Sequence, residues 1–521
     1  MKKESNLNNL IKELIYKVKD KGLEEENLWE AVRGALSPKI LISNLSEALR
    51  TTSEETESLL CELGLSDIVA QSKLEDVKDS ISFEETKEIV LCEGMERLNP
   101  FPHLFSIESA PPLNSPLLIP KNLYSVVIEL FQSSAEKTIN DPLVKLYRQD
   151  VFKYYNEYMS LDAPKVERYI SEHFKSRYPR YIINSGIGAN EQFNHLVSYI
   201  NNNNPNRKTT WLIINSPRQL SFLPQDSSVE NTLFLEFSRS GKTEETIKIH
   251  EYTPRNASRI VFANSGPLRE IGLRDNNLVL SLPDEVSGRF GRNKTPILLA
   301  PMHIAGMNTL SYWKEIETAI QYFDISNHFS LPMVLAKFLY LHQLLNKTNH
   351  IYLGCNDESL SFSADEFIQF WNEGVNKNGN DFLCSRYFGL PRDSHMNIEG
   401  ILANYKTKIG FFLLRTNFYS ENLPPMVLRK IDPINPAHAG LQYGDEEVIL
   451  ARANYTRFAE LMPTLLISIP GAPTLSHSAI LGQLWADTTF CYSIMKHIDP
   501  GSNPEVKFVR DRSAKLLAEN S

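Results

Sequence analysis

"LFLEFSRSGKTEETIKI", residues 233–249, begins as an apolar run and ends in helical spacing, with hydroxyls, one glycine and two cations between. A short apolar run bounded by turn residues reads as a strand buried on both faces. Strand, turn and helix in that order make the repeating unit of an open parallel sheet. In such sheets ligands bind beyond the carboxyl ends of the strands. The helix that follows presents unpaired N–H groups and a positive dipole end, both suited to an anion. Here Ser238, Ser240 and Thr243 offer hydroxyls, Gly241 lets the backbone come close, and Arg239 and Lys242 supply charge. The spacing is not the GxxxxGK[ST] of a nucleotide P-loop, so a sugar phosphate fits better than a nucleotide. A serine-rich turn with an ordinary N-cap is the competing reading.

Working outward, the same texture recurs. "YIINSG", "TWLIINS", "RIVFANS" and "NLVLSLP" flank the opening stretch, separated by amphipathic segments. A second series follows: "HIYLG", "KIGFFLLR", "EEVILAR" and "TLLISIP". Two α/β layers with parallel sheets are expected, closed by a helical tail from about Ser476. No internal repeat is visible, which leaves open whether the two halves share a fold. Before them, Leu7, Leu10, Ile11, Leu14, Ile15 and Val18 fall on one helical face. "NPFPHLFSIESAPPLNSPLLIPK" then carries six prolines between Pro100 and Pro120 and reads as an extended linker. The expected division is a helical region and linker over 1–120, a first α/β domain over 121–325 and a second over 326–521.

Bulk composition narrows the partners. The 521 residues carry a net charge of −9, which argues against nucleic acid or an anionic membrane surface. Five scattered cysteines without a CxxC pair suggest neither a disulfide framework nor a zinc site, and a reducing compartment. No apolar run is long enough to span a bilayer, and the N-terminus, which lacks a continuous apolar core, is not expected to act as a signal peptide. A cytoplasmic protein is expected.

The pattern S-x-S-G-x-T-x-E-T in Ser238–Thr246 resembles the sugar isomerase (SIS) domain superfamily. "LPDEVSGRFGRNKTPILLAPMHIAG", residues 282–306, narrows the resemblance to glucose-6-phosphate isomerases. Gly288 permits close backbone approach there, and Arg289 offers planar donors to a negative oxygen. Ser287 stands where the family has a glycine, and Gly291 where it has a hydroxyl. "FIQFWNEGVNKNG" is similar to the family's Q-x-x-x-E region and puts Gln369 and Glu373 one helical turn apart. "PRDSHMN" places His395 as in the family's D-x-H segment. "NSGIGANEQF" resembles its first glycine-rich loop, with Ala189 and Asn190 replacing Gly-Ser. "NPEVKFVR" resembles the closing Q-P-x-V-E-x-x-K, with Arg510 at the lysine. Lys515 is a weaker stand-in.

The resemblance covers roughly residues 165 to 515 and implies two SIS-type three-layer αβα domains. It implies reversible isomerisation of glucose 6-phosphate and fructose 6-phosphate through a cis-enediol(ate), without metal or organic cofactor. Ser238, Arg239, Ser240 and Thr243 would hold the phosphate, with Asn190, Gly288 and Gln369 lining the sugar. Glu373 would move the proton between C1 and C2, Arg289 would stabilise the developing charge, and His395 with Arg510 would open the ring. A homodimer is implied, the histidine coming from the neighbouring chain. An isomerase of another phosphosugar and a non-catalytic phosphosugar-binding regulator are the alternatives. Arginine hardly ever deprotonates, so Arg510 can polarise a ring oxygen but is a poor proton shuttle.

Overall fold

The computed structural model describes residues 99–110, 118–175, 178–186, 189–204, 209–283, 288–291, 295–346, 348–376, 383–385, 388–389, 394–403, 405–418, 436–442 and 444–501. It also describes 42, 46, 52–53, 56–57, 60, 86–88 and 512. The expected helical face from Leu7 to Val18, together with Arg510 and Lys515, lies outside the described residues. Two compact units are present, one of residues 1–90 with 115–137, the other of 91–114 with 138–521.

In chain order the described strands are β1 (Thr86–Glu88), β2 (Ser106–Ala110), β3 (Leu118–Pro120), β4 (Tyr181–Ser185), β5 (Thr210–Ile214), β6 (Thr232–Phe237), β7 (Ser258–Phe262) and β8 (Leu278–Leu280). They continue with β9 (His350–Cys355), β10 (Leu383–Cys384), β11 (Phe388–Gly389), β12 (Lys408–Arg415) and β13 (Thr464–Ile469). In the first unit β1 and β3 form an antiparallel pair. The second unit holds both larger sheets.

The first sheet is wholly parallel, in the order β5-β4-β6-β7-β8. Every residue of β4, β6 and β7 is buried, which is why their sequences read as mainly apolar runs rather than apolar–polar alternations. Ile182, Leu233, Leu235 and Phe262 face a core closed by the helices Ala163–His173, Pro296–Ile304 and Thr309–Tyr322. On the other face Ile183 and Phe234 pack with Ile249 of helix Glu244–Tyr252. Val261 packs with Leu268 of helix Gly266–Arg274.

The second sheet has the order β10-β9-β12-β13-β2, with β11 also on β9. Its long strands are parallel. Counting β9 first and β10–β11 as one interrupted strand, both sheets share the order 2-1-3-4. The two halves therefore share a strand plan that no residue-level repeat disclosed. On one face Phe411 meets Phe367 and Trp485 of helices Ser361–Gly374 and Leu475–Met495. On the other, Phe412 and Leu414 pack with Ile401 and Phe458 of helices Ser394–Ala403 and Asp445–Leu461. Helix Leu475–Met495 is buried almost all round and lies against helices Thr309–Tyr322, Leu331–Asn346 and Ser361–Gly374. It is the helical tail expected from Ser476.

Two expectations are corrected. "EEVILAR" is helical, inside Asp445–Leu461, not a strand. Gly444 turns the chain at φ 83°, and Asp445, Glu446 and Glu447 follow at the positive end of the helix dipole. Ala451 and Phe458 repeat at helical spacing into the core, while Ile449 and Leu450 stay exposed. The proline-rich segment is not only a linker, because Ser106–Ala110 pairs antiparallel with β13 and closes that edge. Its prolines flank the strand rather than interrupt it, as an edge strand allows.

Lys337 is buried on helix Leu331–Asn346, where its ammonium donates to the His328 carbonyl. Burial holds it down to about 8, from 10.5. Below the lower value the cost of burying the charge is present in full. Between the two values the folded chain binds fewer protons than the unfolded one, so this residue's contribution becomes more favourable as pH rises. Lys337→Met abolishes that slope. In urea denaturation at about pH 7.5 and 10, the stability of wild type relative to the variant is expected to rise with pH.

Candidate functional site

The cradle is built where β6 ends. Ser238 keeps the sheet pairing by donating its N–H to the Phe262 carbonyl at 3.0 Å. The chain then turns, with Gly241 N donating to Ser238 O at 2.8 Å, and Thr243 stands at the N-cap position of the helix Glu244–Tyr252. The Ser238 and Thr243 hydroxyls lie 2.8 Å apart, and Thr243 N donates to Ser238 Oγ at 3.3 Å. Lys242 N donates to Ser240 Oγ at 3.4 Å. Ser238 is buried, while Arg239, Ser240 and Lys242 are exposed along the rim. Hydroxyls, turn amides and a helix start thus converge on one spot with two cations beside it, a set of groups that can hold a phosphate dianion.

A second turn braces the first. Gly241 has φ +63° and Gly266 φ +75°. A Cβ on Gly241 would stand 1.8 Å from the Ser265 carbonyl oxygen, and one on Gly266 would stand 2.6 Å from that of Ser240. Asn264 N donates to Arg239 O at 3.0 Å and Leu268 N to Gly241 O at 3.1 Å. The Asn264–Gly266 turn belongs to the cradle, although sequence reasoning did not include it. The available signal was "NSG" directly after the buried run of β7.

Helix Ser361–Gly374 carries the next pair. Gln369 Nε2 donates to Glu373 Oε1 at 3.0 Å, and both side chains are partly buried. Asn372, on the same helix, donates to Cys384 O at 2.7 Å and accepts from Cys384 N at 2.9 Å, tying the helix end to β10. Phe370 stacks on Phe290 at 5.1 Å. Phe290 lies in the short helix Gly288–Gly291, so the backbone carrying Gly288 and Arg289 packs against the helix that carries Glu373. Asn190, beside Ala189, opens helix Ala189–Asn202, which packs on the same helix. The side chains of Asn190, Arg289 and His395 are outside the described set, although their backbone and that of Gly288 are placed.

His395 is not on that layer. Its helix, Ser394–Ala403, covers the face of the second sheet opposite to helix Ser361–Gly374.

No family model matches the chain. The glucose-6-phosphate isomerase of Methanocaldococcus jannaschii is 24% identical to it over 334 residues, 60% of this chain and 77% of that protein. A glucose-6-phosphate isomerase structure from Chlamydia trachomatis superposes with a TM-score of 0.55 at 11% identity, covering 87% of this chain and 86% of that one. A hypothetical protein of Thermus thermophilus gives 0.59 at 17% identity, over 76% and 96%. The chain has the SIS-type α/β fold.

In this SIS-type fold the cradle occupies the topological switch point of the first sheet, between β4 and β6. Among the described residues no group of three or more His, Cys, Asp or Glu could hold a metal ion. Among them, too, no helix is long and apolar enough to cross a membrane. Cys355, Cys384 and Cys491 are free thiols, and burial pushes each of them up.

Gly241→Ala tests the cradle directly. The left-handed φ and the approach to Ser265 both oppose a methyl group. The variant is expected to lose roughly 1–3 kcal/mol of stability and most of its affinity for inorganic phosphate. Thermal melts and calorimetric titration measure the two losses separately.

Proposed function

We propose that this chain interconverts glucose 6-phosphate and fructose 6-phosphate. The observation that carries the reading is the hydroxyl cradle at the carboxyl edge of the first sheet. A hydroxyl cradle stands at the switch point, and the helices bearing Asn190 and Arg289 both pack on the helix bearing Glu373. The similarity to glucose-6-phosphate isomerase supports the same reaction class.

Ser238, Ser240 and Thr243, with Arg239, hold the phosphate, and that remote binding energy orients the reacting carbons. Gln369 lines the sugar and fixes the Glu373 carboxylate through its 3.0 Å hydrogen bond. Glu373 takes the proton from C2 of the aldose and returns it to C1, through a cis-enediol(ate). The Arg289 guanidinium stabilises the charge that develops on oxygen. His395 opens the ring, while Arg510 polarises the ring oxygen. The placement of the His395 helix, on the face away from Glu373, favours a homodimer in which a second copy supplies that histidine. The SIS-type domains run over 121–325 and 326–521, and the enzyme works in the cytoplasm. An isomerase of a different phosphosugar is the second reading. It is favoured by Ala189, Gly291 and Arg510, which alter the sugar-facing motifs while leaving the cradle intact.

Purified protein given fructose 6-phosphate, with glucose 6-phosphate read by a coupled dehydrogenase, is expected to turn over. No turnover at about millimolar substrate would refute the reaction. Glu373→Gln is expected to lower kcat by about 10²–10⁴-fold with KM little changed. A fully active Glu373→Gln variant would remove the base assignment. Arg510→Lys is expected to raise the rate on the closed-ring sugar where ring opening limits turnover.

A further inference from the structure

The face of the first sheet away from helix Pro296–Ile304 carries a buried charge network that the proposed chemistry does not use. Glu236 lies in β6, two residues before Ser238, with its side chain fully buried. Its Oε2 meets His250 Nδ1 at 2.7 Å, and its Oε1 meets Arg259 Nε at 3.3 Å. His250 stands near the end of helix Glu244–Tyr252, whose first turn forms the cradle. The other ring nitrogen, Nε2, faces Asp275 Oδ2 at 3.3 Å, just past helix Gly266–Arg274. Arg274 and His250 hold that carboxyl down to about 2. Arg259, also fully buried, secures the chain after the cradle helix. It donates to Thr253 Oγ1 at 2.6 Å, Pro254 O at 2.7 Å and Ala257 O at 3.0 Å.

We infer that Glu236, His250 and Arg259 are positioning residues for the phosphate cradle, an inference that rests on the phosphosugar reading above. A nine-residue helix does not hold itself in water. Its N-terminal amides select a phosphate only while its axis is fixed against β6. Apolar contacts, here Ile247 and Ile249, allow sliding and rotation because they are non-directional. Charge-assisted hydrogen bonds are directional. Glu236 therefore ties the far end of the helix to the strand that supplies Ser238, so the strand end and the helix start keep one geometry. Removing a partner leaves a charge uncompensated in the interior, which displaces the helix.

The experiment uses the full chain, with His250→Gln, Asp275→Asn and a control, Ser363→Ala. The control removes the 2.9 Å bond from Trp485 Nε1, in a different part of the fold. Fructose 6-phosphate and inorganic phosphate are the probes, with hydrogen exchange of the Ser238–Ile247 peptide as a readout independent of activity. His250→Gln is expected to raise KM and phosphate Kd about tenfold with kcat within about twofold. Exchange should rise in that peptide alone, and Ser363→Ala should move neither quantity. A folded His250→Gln with wild-type phosphate affinity, or with exchange raised evenly across the sheet, would overturn the inference. Should His250→Gln not fold, Asp275→Asn removes only the outer charge. A KM increase of about two- to threefold supports positioning there, and an unchanged KM overturns it. If the wild type binds neither probe, the phosphosugar reading fails, and exchange confined to the cradle peptide still decides the positioning role.

Discussion

Two backbone turns meet at the carboxyl edge of the first sheet, and nothing larger than glycine fits between them. The Gly241 backbone lies so close to the Ser265 carbonyl that a methyl group has no room, and Gly266 likewise leaves none against the Ser240 carbonyl. This approach lets one turn present its amides and hydroxyls outward while the other supports it from behind. It also fixes where β6 hands over to its helix. The direction of that helix dipole, and hence the place where a dianion is favoured, follows from the same contact.

The two sheets share the strand order 2-1-3-4 but use their switch points differently. In the first, the loop after β6 is rich in hydroxyls and glycine. In the second, the corresponding place between β9 and β12 is filled by the chain's own ion pair. Arg415 Nη1 meets Asp357 Oδ2 at 2.8 Å, Arg415 Nε donates to Asn417 O at 2.9 Å, and the guanidinium lies over Phe418. Asn356 locks the two strand ends together by bonding both N and O of Arg415. One topology therefore carries a hydroxyl-rich turn at one switch point and an internal ion pair at the other. The second sheet instead bears on one face the helix carrying Gln369 and Glu373.

Much of this was legible in the chain. Strands such as β6 and β7 are buried on both faces, so they read as mainly apolar runs bounded by turn residues, each broken by one charged residue, Glu236 and Arg259. The cradle was legible because its groups are contiguous, from Ser238 to Thr243. Short apolar runs were ambiguous, as Val448–Leu450 shows: three apolar residues fit a strand, and only the wider spacing to Phe458 marks a helix. Strand β2 was obscured by its flanking prolines. The Asn264–Gly266 brace and the Glu236–His250–Arg259 network escaped because their partners are distant in sequence and meet only after the sheet forms.

By itself the sequence determined the strand–turn–helix units, their parallel arrangement and the chemical character of the loop after β6. Those properties depend on neighbours within a few residues, where turn chemistry and burial periodicity act. Tertiary structure alone decided that both halves share a strand order, that helix Gly288–Gly291 packs against helix Ser361–Gly374, and that the His395 helix lies on the opposite layer. These are relations between segments up to hundreds of residues apart. No local preference encodes them, and they arise when buried faces such as those of Phe290 and Phe370 find each other.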